Sequence, residues 1–174
     1  MKGLAYFYLL KNSQKDLISK NLYENINQIS YIKHINLSFS KLRNKLFIIL
    51  ALAFLYLITN KKGRVILKSK FNSSKIYGCS LKLKYKDALF FLEKFLFVNL
   101  KNILDLEDGF LKSGLSDLGT FSFTVKDIYT FFELDENLSK LYILKNLNIM
   151  VLFSSDNKYE NMQLLKSLGV MFKD

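Results

Sequence analysis

The chain has 174 residues, half of them apolar, and a formal net charge of +11. That apolar fraction excludes a disordered polymer, and the length suits one domain with its own core. With one cysteine, Cys79, and one histidine, His34, an intramolecular disulfide, a multi-cysteine zinc site and the usual His-centred hydrolase constellations are excluded.

Residues 1–20 read as a flexible N-terminal arm. Its opening, "MKGLAYFYLL", has neither the arginines nor the small-residue cleavage site of a targeting segment. Over Gln14–Gln28 the apolar residues Leu17, Ile18, Leu22 and Ile26 recur near helical spacing and predict a short amphipathic helix. In "YIKHINLSFS", Ile35, Leu37 and Phe39 alternate as on a strand.

The segment Leu46–Ile58, "LFIILALAFLYLI", is unbroken in its apolarity. As a helix it reaches only about 20 Å, against a bilayer core of roughly 30 Å. It predicts a helix over 41–59 packed on a sheet, with Ala51 and Ala53 permitting close approach. The basic residues Lys41, Arg43, Lys45, Lys61 and Lys62 flank it. They keep a second reading open: a basic protein anchored to an organelle membrane by residues 46–58.

Strands are expected over Arg64–Lys70 and Ile76–Tyr85, joined by the polar turn Asn72-Ser73-Ser74-Lys75. From Lys61 to Lys86 the chain holds nine basic side chains and no acidic one. In the second strand Leu81, Leu83 and Tyr85 point one way and Lys82, Lys84 and Lys86 the other. The pattern describes a hairpin with an apolar back and a lysine front. Charge over the whole chain is as uneven: residues 1–101 sum to +15 and residues 102–174 to −4. A polyanion, nucleic acid or an anionic membrane, is the partner such a surface suits.

Lys86–Leu104 shows the strongest helical stripe, from Leu89, Leu92, Phe95, Leu96, Leu100 and Ile103, with Asp87 in the first turn. "EDGFLKSGLSDLG" reads as a glycine-punctuated loop and fits neither a Walker A nor a dinucleotide fingerprint. "TFSFTV" alternates as a strand, "FFELDENLSK" is an acidic connection, and "LNIMVLFS" is a buried strand. Tyr159–Leu168 closes the chain as a helix stopped at Gly169.

This order predicts an α+β fold over 1–174: a single domain, mainly antiparallel sheet with helices packed on one face. Cys79 reads as a small buried residue, and His34 as structural or an RNA contact. No nucleophile–base pair, phosphate loop or metal-ligand cluster is legible, so no enzymatic activity, metal or cofactor is expected.

Four blocks, in order, resemble the large-subunit ribosomal protein L-five family of bacteria and organelles. "NLYENINQISYIKHINLSFS" is similar to its entry helix and first strand. "GCSLKLKYKDALFFLEKFLFVNLKNILDLEDG" is similar to its Gly-Cys strand and following helix, "GTFSFTVKDIYTFFEL" to its Gly-Asn-Tyr-Ser strand, and "LNIMVLFSSDNKYENMQLLKSLGVMF" to its closing strand and helix. The resemblance implies an α+β protein binding 5S rRNA, and adjoining large-subunit rRNA, in the central protuberance beside other ribosomal proteins. It implies RNA contacts at His34, Ser38, Lys61, Lys62, Arg64, Lys68, Lys70, Lys82 and Lys84. It directs the Asn72, Ser73, Ser74 and Lys75 loop toward P-site tRNA. The chain departs from the family at Ser38-Phe39-Ser40, where Asn-Met-Gly is usual, at Lys82, where Thr is usual, and at Phe132 and Met171, where proline is usual. Its loop before Gly78 is shorter. Lysines in place of neutral hydrogen-bonding groups favour phosphate contacts, which position an RNA without reading its sequence. The abundance of Lys, Phe, Ile, Asn and Tyr, all with A/T-rich codons, points to a mitochondrial ribosome and an organelle-encoded chain, with a plastid ribosome as the alternative.

Overall fold

The computed structural model describes residues 11–12, 14–19, 25, 28–42, 44–67, 76–100, 103, 109–128, 131–134, 141 and 143–173. Lys68, Lys70 and the 72–75 turn lie outside the described residues, as do most of the N-terminal arm and the acidic 135–140 stretch.

The architecture is α+β. Residues 14–19 form helix α1. Then come strand β1 (Ile32–Ser40), helix α2 (Lys45–Thr59), strands β2 (Arg64–Leu67) and β3 (Ile76–Lys84), and helix α3 (Tyr85–Lys94). After them follow β4 (Phe110–Leu111), β5 (Leu115–Ser116), β6 (Thr120–Asp127), β7 (Lys145–Phe153), α4 (Lys158–Ser167) and β8 (Phe172–Lys173). Six strands form a mainly antiparallel sheet in the order β2-β3-β1-β7-β6-β5, and β4 and β8 pair separately in parallel. The chain divides into two compact units, one of residues 1–35, 84–123 and 150–174, the other of residues 36–83 and 124–149.

In the second unit, period-two burial on β1 puts Leu37 and Phe39 fully inside, while Asn36 and Ser38, which alternate with them, are half-buried. Helix α2 buries Ile48, Ala51, Phe54, Leu55 and Ile58. Phe54 is the hub of this core, meeting Phe39 edge-on at 5.6 Å between ring centroids and Phe131 at 5.5 Å. Such edge-to-face pairs add about 0.5–1.5 kcal/mol each beyond area burial. The helix ends where Asn60 turns left-handed (φ 54°) and its N–H donates to the Tyr56 carbonyl at 2.7 Å. Ala53 does not share the close packing expected of it: it is exposed, because it lies on the side of α2 away from Phe54. Among the described residues no helix is long and apolar enough to cross a membrane.

The first unit has its own aromatic cluster. Phe110 lies 5.5 Å from Phe121 and 4.8 Å from Phe123, Phe95 lies 5.4 Å from Phe123, and Phe172 packs on Phe121 at 5.6 Å. Helix α3 carries Ala88, Phe91 and Leu92 into this core. The long helix expected over Lys86–Leu104 is only partly α: from Phe95 to Asn99 it loosens into a π turn. Buried Phe95 and Leu96 are thereby followed by exposed Phe97 and Val98 and buried Asn99.

Two further expectations are corrected. The helix expected over Gln14–Gln28 does not run through, since Asn25 is a bend and the Gln28 N–H donates to the Asn25 carbonyl in a short turn. The glycine-punctuated loop contains β4 and β5, the latter paired antiparallel with β6 through Leu115–Phe121 and Ser116–Thr120. Helix α4 stops as expected, with Gly169 at φ 91° and its N–H on the Lys166 carbonyl at 3.0 Å.

A buried polar knot ties the start of β1 to α4. Ser30 Oγ donates to Asn161 Oδ1 at 2.5 Å, Ser155 Oγ donates to the same atom at 3.2 Å, and Asn161 Nδ2 donates to the Ser155 carbonyl at 2.8 Å. Ser30 and Asn161 are fully buried, so these bonds replace water that neither group can reach.

Candidate nucleic-acid interface

The basic hairpin is built by β2 and β3. They pair antiparallel with Arg64 opposite Ser80, Val65 opposite Cys79 and Ile66 opposite Gly78, the register shifting between Ile66 and Leu67. Directly opposed residues share a face. Arg64 therefore lies on the side of Ser80, and by the period-two rule of Lys82 and Lys84. On the other side of β3, Cys79, Leu81 and Leu83 are buried. The apolar back and cationic front expected from the alternation are both present, except that Tyr85 is the first residue of α3 rather than the end of the strand.

β3 reaches β1 through Gly78. A Cβ there would collide with the Phe39 carbonyl oxygen, so only glycine lets the two backbones come this near. Cys79 follows it, fully buried, and its thiol is pushed up to about 11 by burial, opposed by a hydrogen bond to the Phe39 backbone. A thiol held neutral in this way is a packing group and no nucleophile.

Lys61 and Lys62 are exposed in the turn that leads from α2 into β2, and Arg64, Lys82 and Lys84 are exposed on the strands. Ser38 and His34 are half-buried on β1. Lys68, Lys70, Asn72, Ser73, Ser74 and Lys75 fall outside the described residues. One further cation near this hairpin reads in the sequence only as a flank of the apolar helix. Lys41 is exposed at a left-handed turn (φ 61°) directly after β1, and the next residue, Leu42, donates its N–H to the Tyr77 carbonyl at 3.0 Å. That bond fixes Lys41 beside the start of β3, where Tyr77 is 39% exposed. The sequence signal was only a lysine after a strand, with nothing to reveal the backbone turn.

Such a face carries positive charge on long, flexible stems and has no carboxylate within its own stretch of chain. Exposed cations of this kind are able to neutralise phosphates.

No family model matches the chain. Curated relatives do. The chain is 30% identical over 115 residues to the large ribosomal subunit protein uL5c of Cyanidium caldarium, covering 66% of this chain and 62% of that protein. It is 28% identical over 117 residues to the large ribosomal subunit protein uL5 of Geotalea daltonii, covering 67% and 64%. The uL5c protein of Euglena gracilis gives the same identity and coverage. The chain is similar to uL5 proteins of plastids and bacteria over about two thirds of its length. The match spans just under two thirds of each relative's own length. The four blocks of resemblance fall on β1, on β3 with α3, on β6, and on β7 with α4. The Gly-Cys pair occupies the one place on β3 where the backbone tolerates no side chain and the next residue is sealed from solvent.

Proposed function

We propose that the chain is a structural constituent of the large ribosomal subunit and that the cationic face of β2 and β3 lies on ribosomal RNA. The observation that carries this reading is its likeness to uL5 proteins of plastids and bacteria. The facing of Arg64 toward the Lys82 side of β3 supports it. The RNA is 5S rRNA, adjoining large-subunit rRNA in the central protuberance, or both, and neighbouring ribosomal proteins complete the site. The turn at 72–75 is directed to P-site tRNA, and the composition favours a mitochondrial ribosome. The protein acts by holding RNA in place, with lysines gripping phosphates while β1 and α2 stiffen the platform.

The test is to cross-link the protein to RNA in its native organelle, recover it with large subunits, and sequence the attached RNA. Reads on 5S rRNA and the neighbouring arm of large rRNA, joined through Lys61, Lys62, Arg64 or Lys82, are expected. Large-rRNA reads alone would remove 5S rRNA from the proposal. A protein that does not sediment with large subunits would sink it.

A further inference from the structure

Helix α2 has a second apolar face that its own core does not use. Leu46 is 70% exposed, Ile49 62% and Tyr56 51%, with exposed Ala53 between them. A helix on the surface of a soluble protein normally turns charged or polar residues outward. Positions 46, 49, 53 and 56 step by three, four and three, the spacing of the seam along which two helices pack. From Leu46 to Tyr56 the seam extends about 15 Å. At its middle Ala53 is small enough for another backbone to approach. Beyond its ends stand exposed cations: Lys41 and Lys45 before it, Lys61 and Lys62 after it.

We propose that this outer face of α2 is a docking seam for a helix of a neighbouring protein, apolar at its centre and bearing carboxylates near both ends. The charges select among the possible occupants. A second copy of this chain would set Lys41 and Lys45 against the same residues in a parallel pairing, or against Lys61 and Lys62 in an antiparallel one. Both juxtapose like charges. RNA would satisfy the lysines and leave Leu46 and Ile49 in water. A bilayer surface is suited to a free helix with a broad apolar side and a charged opposite side. The opposite side of α2 is instead the core formed by Phe54, Leu55 and Ile58. A protein helix with acidic ends satisfies the apolar seam and both cationic flanks together. The inference is independent of which RNA the β2–β3 face holds.

The experiment places a benzoylphenylalanine photoprobe at position 49 of the full-length chain assembled into large subunits, with a parallel probe at position 82. After irradiation, cross-linked peptides, nucleotides and lipids are identified by mass spectrometry. The expected product at position 49 is a protein segment with an apolar helical seam flanked by Asp or Glu. Its yield should fall at least tenfold with Lys45→Glu, a residue outside the RNA face, in a chain whose unfolding midpoint is unchanged. Attachment to RNA, to lipid or to a second copy, or no attachment, overturns the seam, as does a yield that ignores charge reversal. The probe at 82 reports separately on the RNA reading, so either can fail while the other stands.

Discussion

Gly78 and Phe39 meet backbone to backbone, with the Phe39 carbonyl filling the space that a side chain at 78 would need. The strand bearing the lysines is thus held to the strand bearing Ser38 at a distance only a glycine allows. Gly78→Ala should force the two apart and cost about 1–3 kcal/mol or more. Denaturant unfolding of the variant checks this, and a midpoint equal to that of the parent chain would refute the close approach.

Asn161 is the centre of a different restraint, accepting from Ser30 and Ser155 and donating to the Ser155 carbonyl. Asn161→Ala would strand the buried Ser30 hydroxyl and the Ser155 carbonyl, at a cost of about 2–3 kcal/mol. A fall in thermal midpoint, with secondary structure retained at low temperature, is the expected reading.

Lys82→Ala and Arg64→Ala should each weaken RNA binding across sequences without favouring one, because a phosphate contact carries no base information. The dependence of log affinity on log salt should flatten by about 0.7–0.9 per residue removed. Both side chains are exposed, so folding stability should move by no more than about 0.5 kcal/mol. Titrations at several salt concentrations separate this from general unfolding.

The Cys79 thiol, pushed up to about 11 by burial, links folding to alkali. The unfolded chain loses this proton at lower pH than the folded one, so the contribution is fully present below the unfolded value, about 8.5, and is lost as pH rises toward 11. Cys79→Ala should therefore show a shallower decline of stability between those limits. In the folded parent chain the thiol should resist alkylation at pH 8 until denaturant exposes it.

Most of the fold was legible because its long strands obey a strict period. Leu81 and Leu83 alternate with Lys82 and Lys84, and burial follows the same alternation. Two-residue strands such as β4, β5 and β8 have no period to read, and β4 and β8 depend on partners distant in the chain, as Phe110 does on Phe172. The π turn was invisible for another reason: one extra residue per turn leaves a Phe- and Leu-rich stretch equally apolar on paper. Of the interface, Arg64 and Lys82 followed from alternation. Lys41 depended on a backbone turn, and the Ser30–Asn161 pairing on residues that no local pattern connects. The outward seam of α2 was hidden by its own composition, since a helix apolar on all sides reads as wholly buried.

The two-sidedness of β3 bears on how such a chain withstands its genome. A mutational drift toward A/T-rich codons delivers lysine in quantity, and lysine placed at random would wreck a core. On a strand, neighbouring positions answer to opposite environments. The outer positions 82 and 84 can accept the drift as added grip on a polyanion, while 79, 81 and 83 are guarded by packing. The sheet therefore confines lysine to one side of β3, where an added charge costs the core nothing and, on the RNA reading proposed above, adds grip.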